Sequence, residues 1–276
     1  MKLNQLLLLL LSFTLFTCNI ESVDIPDVMI EEEEQTNDGV LVKKIIYNKG
    51  TDDEYTETFN YDGNKLISVD YGDGWKNVYT YDSDDNLVKD DWFESNELIA
   101  SVALEYNSDD KVAMYTETFF EGSGLEDRKY KHIITHNNDN TLTNEVYVSY
   151  SSADFELYFV KTINLNGKNI TKISDDDGFE LIYTHDDKNG AFKNIYAIEV
   201  LNFLSENEFG ALIYGNTNNI TRRLENLIDG GNSDTYDDTY EYTYNEKNYP
   251  VTAIFTSEFG RDSGNVTVET LEFIYE

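Results

Sequence analysis

Tyr79-Thr80-Tyr81-Asp82-Ser83-Asp84-Asp85-Asn86-Leu87 decides how the chain is read. Tyr79 and Tyr81 alternate with Val78 and Thr80, the period of two that marks a strand. Asp82 to Asn86 cannot continue that strand cheaply, because Asp, Asn and Ser are poor strand formers whose side chains bond nearby backbone in turns. Leu87-Val88 then restarts an apolar run. A strand, a short polar turn and a returning strand make an antiparallel hairpin.

The same order of residues recurs at 59–66, 104–112 and 134–142, and in weaker form at 165–170, 183–189, 214–220 and 242–248. Taking the last strand residue before each turn as an anchor gives Tyr61, Tyr81, Tyr106, His136, Leu165, His185, Tyr214 and Tyr244, spaced 20, 25, 30, 29, 20, 29 and 30 residues apart. The near-repeat of 20-25-30 as 20-29-30 suggests an internal duplication, 55–160 and 161–276. At an offset of 104, Gly74-Trp75 falls on Gly178-Phe179 and Tyr79-Thr80 on Tyr183-Thr184. Second turns lie between the anchors, for example Tyr71-Gly72-Asp73-Gly74, so each unit supplies about two strands and the chain roughly sixteen. Connections of a few residues favour an antiparallel meander, since parallel pairing needs long crossovers. So many strands do not stay flat, because twist accumulates and curls the sheet. The expected fold is all-β: an antiparallel meander of hairpin repeats forming a curled or barrel-like sheet.

One stretch departs from this pattern. Residues 194–205 place apolar side chains at Ala197, Ile198, Leu201 and Leu204, a helical spacing, which predicts one short helix there. The C-terminal strands are the most regular. Tyr240, Tyr242 and Tyr244 share one face and Thr239, Glu241 and Thr243 the other, while Leu271, Phe273 and Tyr275 alternate with Glu272, Ile274 and Glu276. A transmembrane barrel needs an outward apolar band, and strands carrying Glu, Asp and Lys on their polar face argue against one.

The N-terminus reads differently. Met1-Lys2 precedes an apolar run from Leu6 to Phe16, short for a bilayer span and suited to a signal peptide over 1–17. It stops at Leu15-Phe16-Thr17-Cys18, and Cys18 is the only cysteine in the chain. The Leu three residues before that Cys resembles the bacterial lipoprotein signal, which implies lipidation of Cys18 and anchoring through its acyl chains. Residues 18–39, with Glu31-Glu32-Glu33-Glu34, read as an acidic tether, since like charges in a block repel and extend the chain. Residues 40–276 form the β-repeat domain. Acids soon after Cys18 (Glu21, Asp24) resemble surface-export signals of Bacteroidetes-type lipoproteins, which implies an outer-membrane location facing outward.

Net charge is −34, which repels nucleic acid and anionic headgroups and excludes nucleic acid as a partner. Aromatic residues make up 14% of the chain, with 21 Tyr and 15 Phe, too many for a disordered acidic sequence.

The tyrosine–Asp/Asn-turn–Leu units resemble the YD repeats of RHS-type proteins over roughly residues 55 to 276, without a downstream toxin domain. They are more similar to the DUF4595-like lipoproteins of flavobacteria, which combine a lipobox, YD-like units, an Asn-Pro-Phe-like step and an Asn-Asn-Ile-like step. Asn189-Gly190-Ala191-Phe192-Lys193-Asn194 and Asn218-Asn219-Ile220-Thr221 correspond to those steps, the first with its proline replaced. That resemblance implies a fold and a location but no chemistry.

No nucleophile elbow, P-loop, dinucleotide fingerprint or His-Glu-x-x-His pattern occurs. His136 and His185 fill the anchor slot that Tyr holds elsewhere and read as structural, and His132 and His136 lie in an expected strand. Among 54 acids, adjacency cannot single out a catalytic pair. Asp82 to Asn86 and Asp175-Asp176-Asp177-Gly178 offer oxygens of the kind that hold Ca²⁺, but neither is a calcium loop, and Asp-rich turns are ordinary hairpin chemistry. No cofactor is implied. Trp75, Trp92 and Phe93 are the candidate ligand-stacking aromatics. The expectation is therefore a non-enzymatic, membrane-anchored envelope lipoprotein that binds or scaffolds a protein or glycan. The alternative is a carbohydrate-active surface lipoprotein, glycan-binding or glycoside-hydrolysing.

Overall fold

A computed structural model describes residues 39–120, 123–125, 127–151, 154–204, 217–229, 232–259 and 265–276. Sixteen antiparallel strands form one closed barrel. They are β1 (Val42–Tyr47), β2 (Tyr55–Asp62), β3 (Lys65–Gly72), β4 (Trp75–Tyr81), β5 (Leu87–Glu94), β6 (Glu97–Tyr106), β7 (Val112–Phe119) and β8 (Arg128–His136). Then come β9 (Thr141–Tyr150), β10 (Glu156–Asn166), β11 (Asn169–Asp175), β12 (Glu180–His185), β13 (Ile220–Asp229), β14 (Asn232–Tyr244), β15 (Pro250–Phe259) and β16 (Asn265–Tyr275). Each strand pairs with its neighbours in sequence, and β1 closes on β16 with Ile45 opposite Phe273 and Tyr47 opposite Leu271. Closure leaves no sheet edge to template aggregation.

The up-and-down order gives the barrel two unlike ends. Connections after even-numbered strands gather at one end and carry the repeated Asp/Asn turns, and connections after odd-numbered strands gather at the other. The chain enters β1 and leaves β16 at the repeat end, where the amide of Glu276 donates to the Leu41 carbonyl at 3.0 Å. The predicted helix is α1 (Ile198–Leu204), inside the long connection between β12 and β13. It begins later than its apolar spacing suggests. Ala197, at φ 55°, and the turns at 191–197 occupy the segment just before it.

Period-2 alternation sorts the side chains. Phe59, Leu66, Val69, Leu87, Val102, Leu104, Val112, Ile163, Ile173, Ala253, Leu271 and Phe273 join one buried cluster, which strands from opposite walls can share only across the lumen. Each fully buried Leu or Ile there contributes about 2 to 3 kcal/mol. The alternate positions face out and are polar: Lys44, Asn60, Asp70, Lys76, Thr80, Glu105, Thr135, Thr162, Arg222, Glu241 and Thr252 are exposed. Neighbouring strands are joined across this outer wall by polar pairs. The Arg222 guanidinium holds the Asp237 carboxylate at 2.7 and 2.6 Å, Ser101 Oγ donates to Asp91 at 2.7 Å, and Thr243 and Thr252 share a hydroxyl bond of 2.6 Å. Apolar positions such as Ile254, Val266 and Val268 interrupt the wall, and further exposed apolar side chains, among them Tyr55, Trp75, Phe155, Leu157, Tyr158 and Phe259, lie toward the end that carries the connections after odd-numbered strands.

Candidate functional site

The repeat unit explains the rim. In the Asp82 turn, Asp82 Oδ1 accepts from the amides of Asp84 and Asn86, both at 2.9 Å, and the Asp82 amide donates to the Asn86 carbonyl. Asn107 does the same for Asp109 and Lys111, and Asn245 for Lys247 and Tyr249. Asp85, Asp110, Asn140 and Asn248 close their turns at φ between 55° and 70°, a left-handed backbone that Asp and Asn tolerate better than other side chains.

The ladder slips at most of the described anchors, as between Thr80 and Tyr81 or Glu105 and Tyr106, but runs without a slip into His136; Tyr214 lies outside the described residues. The anchor side chain then reaches the neighbouring hairpin. Tyr61 Oη donates to the Val42 carbonyl at 2.9 Å, Tyr81 to Leu66 at 3.0 Å and Tyr106 to Leu87 at 2.7 Å. His136 Nε2 donates to Val112 at 2.9 Å, a contact that fixes the proton on that nitrogen because a carbonyl can only accept. Tyr242 repeats the pattern on Ile220 at 2.9 Å. The accepting residues are the apolar ones that restart each strand, so one ladder stitches the units together around a buried apolar ring. Leu165 occupies an anchor slot with no hydrogen to donate.

The β12–β13 connection sits in the mouth of this ring. Phe192 packs on Phe59 with centroids 5.4 Å apart, and Ile195, Ile198 and Leu201 are buried. Asparagines clamp it. Asn194 Nδ2 donates to the Val40 carbonyl at 2.9 Å and to Tyr249 Oη at 2.8 Å. Asn218 Nδ2 reaches the Lys188 carbonyl at 2.7 Å and Asn219 Nδ2 the Asn189 carbonyl at 3.0 Å. The two steps that carry the lipoprotein resemblance, 189–194 and 218–221, therefore meet in space and hold the plug.

The described residues of this connection leave part of the mouth open. Between α1 and the rim lies a cleft of about 780 Å³. Leu87, Val112, Leu142, Leu165 and Ile170 form its floor, and Tyr106, His136 and Tyr196 stand around it. Asp84, Asp85, Asp110 and Lys111 line the rim, opposite Glu199 of α1 and near Lys168. That volume falls in the range of small-molecule sites.

Above the apolar ring, the lumen carries a belt of buried polar side chains. Asp90 is 1% exposed; its Oδ2 accepts from Trp92 Nε1 at 2.7 Å and Asn77 Nδ2 at 3.2 Å, and its Oδ1 has no partner. Burial pushes this carboxyl up to about 7. Glu57 is pushed up to about 8, again by burial, with the Tyr47 hydroxyl opposing the shift. His132 stacks on Tyr115 with centroids 4.0 Å apart, accepts on Nδ1 from Asn144 at 3.2 Å and places Nε2 3.4 Å from Glu117. Asp238 is raised by burial although Arg223 lies 3.4 Å away. Sequence reasoning missed this belt, because nothing distinguishes these acids from the others.

The three candidate stacking residues do not make one platform. Asn77 pairs with Trp92 and Trp75 with Glu94, which puts both tryptophans on the inner face, whereas Phe93 follows Trp92 and points to the outer one. The indole of Trp92 is engaged by Asp90. The candidate calcium oxygens are engaged too: Asp175 Oδ1 caps the amides of Asp177 and Phe179, as Asp82 caps its own turn. Among the described residues no cluster of His, Cys, Asp or Glu is arranged to hold a metal. Cys18, the tether and the signal segment lie outside the described residues.

No protein-family model and no curated protein matches the chain. Solved structures do. A porin-like protein from Bacteroides uniformis matches at 14% identity with a TM-score of 0.51, over 85% of this chain and 96% of that one. In fold, the chain is similar to that porin-like barrel. A porin-like protein from Bacteroides vulgatus matches at 14% identity over 86% of this chain and 99% of that one, with a TM-score of 0.44. The sequence reading of a curled antiparallel meander with one short helix is thus met by a closed barrel of the porin-like kind.

Proposed function

We propose that the chain is an outer-membrane lipoprotein, tethered through an acylated Cys18 and facing outward, whose barrel stands in water and binds a ligand in the mouth cleft without catalysing a reaction. The observation that carries this reading is the direction of polarity. The interior joins an apolar, aromatic cluster to a belt of buried polar groups, while the outer wall is threonine-rich, charged and cross-linked by polar pairs, and a barrel in lipid needs an apolar outer band. The porin-like fold supports an envelope protein, and the Cys18 signal supports attachment by acyl chains, which need no span. The chain enters the barrel at the cleft end, so a tether would carry that end on its membrane side.

A carbohydrate-active role has less support. Acids do stand on both sides of the cleft, but its floor offers a sugar's hydroxyls nothing to bond. The test is fractionation of the native chain and Cys18→Ala in a Gram-negative host. The native chain should take up labelled palmitate and sediment with membranes. Cys18→Ala should be soluble without detergent, and its retention in carbonate-washed membranes would mean that the barrel itself spans.

A further inference from the structure

Resting on the reading of the cleft as a ligand site, we infer that its ligand is a single-chain amphiphile with an apolar tail and a cationic head. The cleft opens where the tyrosine ladder is interrupted. Tyr61, Tyr81 and Tyr106 fill their anchor slots with rings that bridge to the next hairpin; the following slots hold the smaller His136 and the aliphatic Leu165. The residues beneath the cleft are aliphatic: Leu87, Val112, Leu142 and Ile170 are buried, and Leu165 is half-buried. The two polar groups that descend toward it are already committed, Tyr106 Oη to Leu87 at 2.7 Å and His136 Nε2 to Val112 at 2.9 Å. A hydrogen-bond acceptor inserted to that depth would find neither of these donors free, which weakens binding by about tenfold or more, and an apolar end carries no such cost.

The rim selects the head. Four carboxylates, Asp84, Asp85, Asp110 and Glu199, face three ammonium groups: Lys65 pairs with Asp85, Lys168 lies 3.4 Å from Glu199, and Lys111 is left beside Asp84 and Asp110, so the rim keeps a small negative excess. The chain carries −34 overall, so both the local and the long-range field draw in a cation and repel an anion.

The experiment titrates three probes that share a dodecyl tail, each below its micelle concentration, into the full chain bearing Cys18→Ala in detergent-free, low-salt buffer. The probes are dodecyltrimethylammonium, dodecyl maltoside and dodecyl sulfate, read by calorimetry. The cationic probe should bind about tenfold or more tighter than the sulfate, with the maltoside between. The exposed pair Asp84→Lys/Glu199→Lys should invert that order. Leu165→Tyr, which puts at this slot the residue that Tyr61, Tyr81 and Tyr106 hold at theirs and lets its hydroxyl reach toward Leu142, should fill the cleft and weaken every probe by about tenfold while folding is retained. If no probe binds, the cleft is not a ligand site and the underlying reading fails with the inference. Binding that ignores the head, or favours sulfate, overturns the cationic class alone. Binding untouched by Leu165→Tyr in a folded protein puts the probe elsewhere and also overturns it. Should Leu165→Tyr fail to fold, the surface pair still decides.

Discussion

Glu57→Gln should make the barrel more stable at neutral pH and leave it unchanged in mild acid. The carboxyl is buried in the lumen, which raises its pKa from 4.5 to about 8. In the unfolded chain it ionises near 4.5, so between those two values folding must take up a proton. Stability from this site is therefore intact below pH 4.5 and lost as pH rises toward 8. The slope is about 1.4 kcal/mol per pH unit, giving a penalty of about 3 kcal/mol at pH 7 that levels off near 5 kcal/mol above about pH 8. A glutamine side chain at this position has the same shape, can still accept from Tyr47 and does not titrate. Asp90 titrates in an overlapping window in both proteins, so it cancels in the difference. The assay is urea unfolding of the full chain and the variant at about pH 5 and about pH 8. The midpoint gap should be small at the lower pH and widen at the higher, with an unchanged denaturant slope. Equal gaps at both pH values, or a variant weaker in the alkaline buffer, would refute the claim that burial dominates this carboxyl.

Three further outcomes follow from the ladder and the belt. Tyr106→Phe removes the donor to a buried carbonyl and should cost about 1 to 3 kcal/mol in a chemical melt, whereas Tyr158→Phe, at an exposed position, should be near neutral. Asp82→Ala deletes the acceptor for two turn amides and should cost about 1 kcal/mol, with Asp82→Asn recovering most of it. Trp92→Phe takes the indole donor from Asp90, and that bond is the larger of the two holding its proton affinity down. The Asp90 carboxyl should then titrate above about 7, which a carbon-detected NMR titration reads directly.

Much of this architecture is legible in the chain because two local signals agree. Alternation fixes which residues share a face: Tyr240, Tyr242 and Tyr244 do lie together on the inner wall, with Ala253 and Phe255 opposite Tyr242 and Tyr240. Asp and Asn at the turns fix where each strand reverses, since they cap amides and accept a left-handed backbone. The 104-residue offset places the Gly74 turn on the Gly178 turn, which in space are the β3–β4 and β11–β12 connections, eight strands apart. What the chain does not display is any contact between units. A tyrosine at an anchor announces a strand end, but nothing local shows that its hydroxyl will bond the carbonyl of another hairpin. The buried acids are hidden for a related reason: Asp90 and Asp91 are adjacent and chemically alike, yet one lies in the lumen and the other faces out.

The cleft joins these two lessons. Its position matches the break in the run of anchor tyrosines at His136 and Leu165, but a missing side chain has meaning only once its neighbours are known to form a ring. Closing the barrel brings six similar hairpin turns into one circle with the insertion after β12, whose described residues cover part of it. The cleft lies beside the anchors His136 and Leu165. The inverted polarity follows from the same closure. With sixteen strands around one lumen, alternation gives every strand one inward row, and this sequence places its aromatic and aliphatic residues on that row rather than on the outer wall.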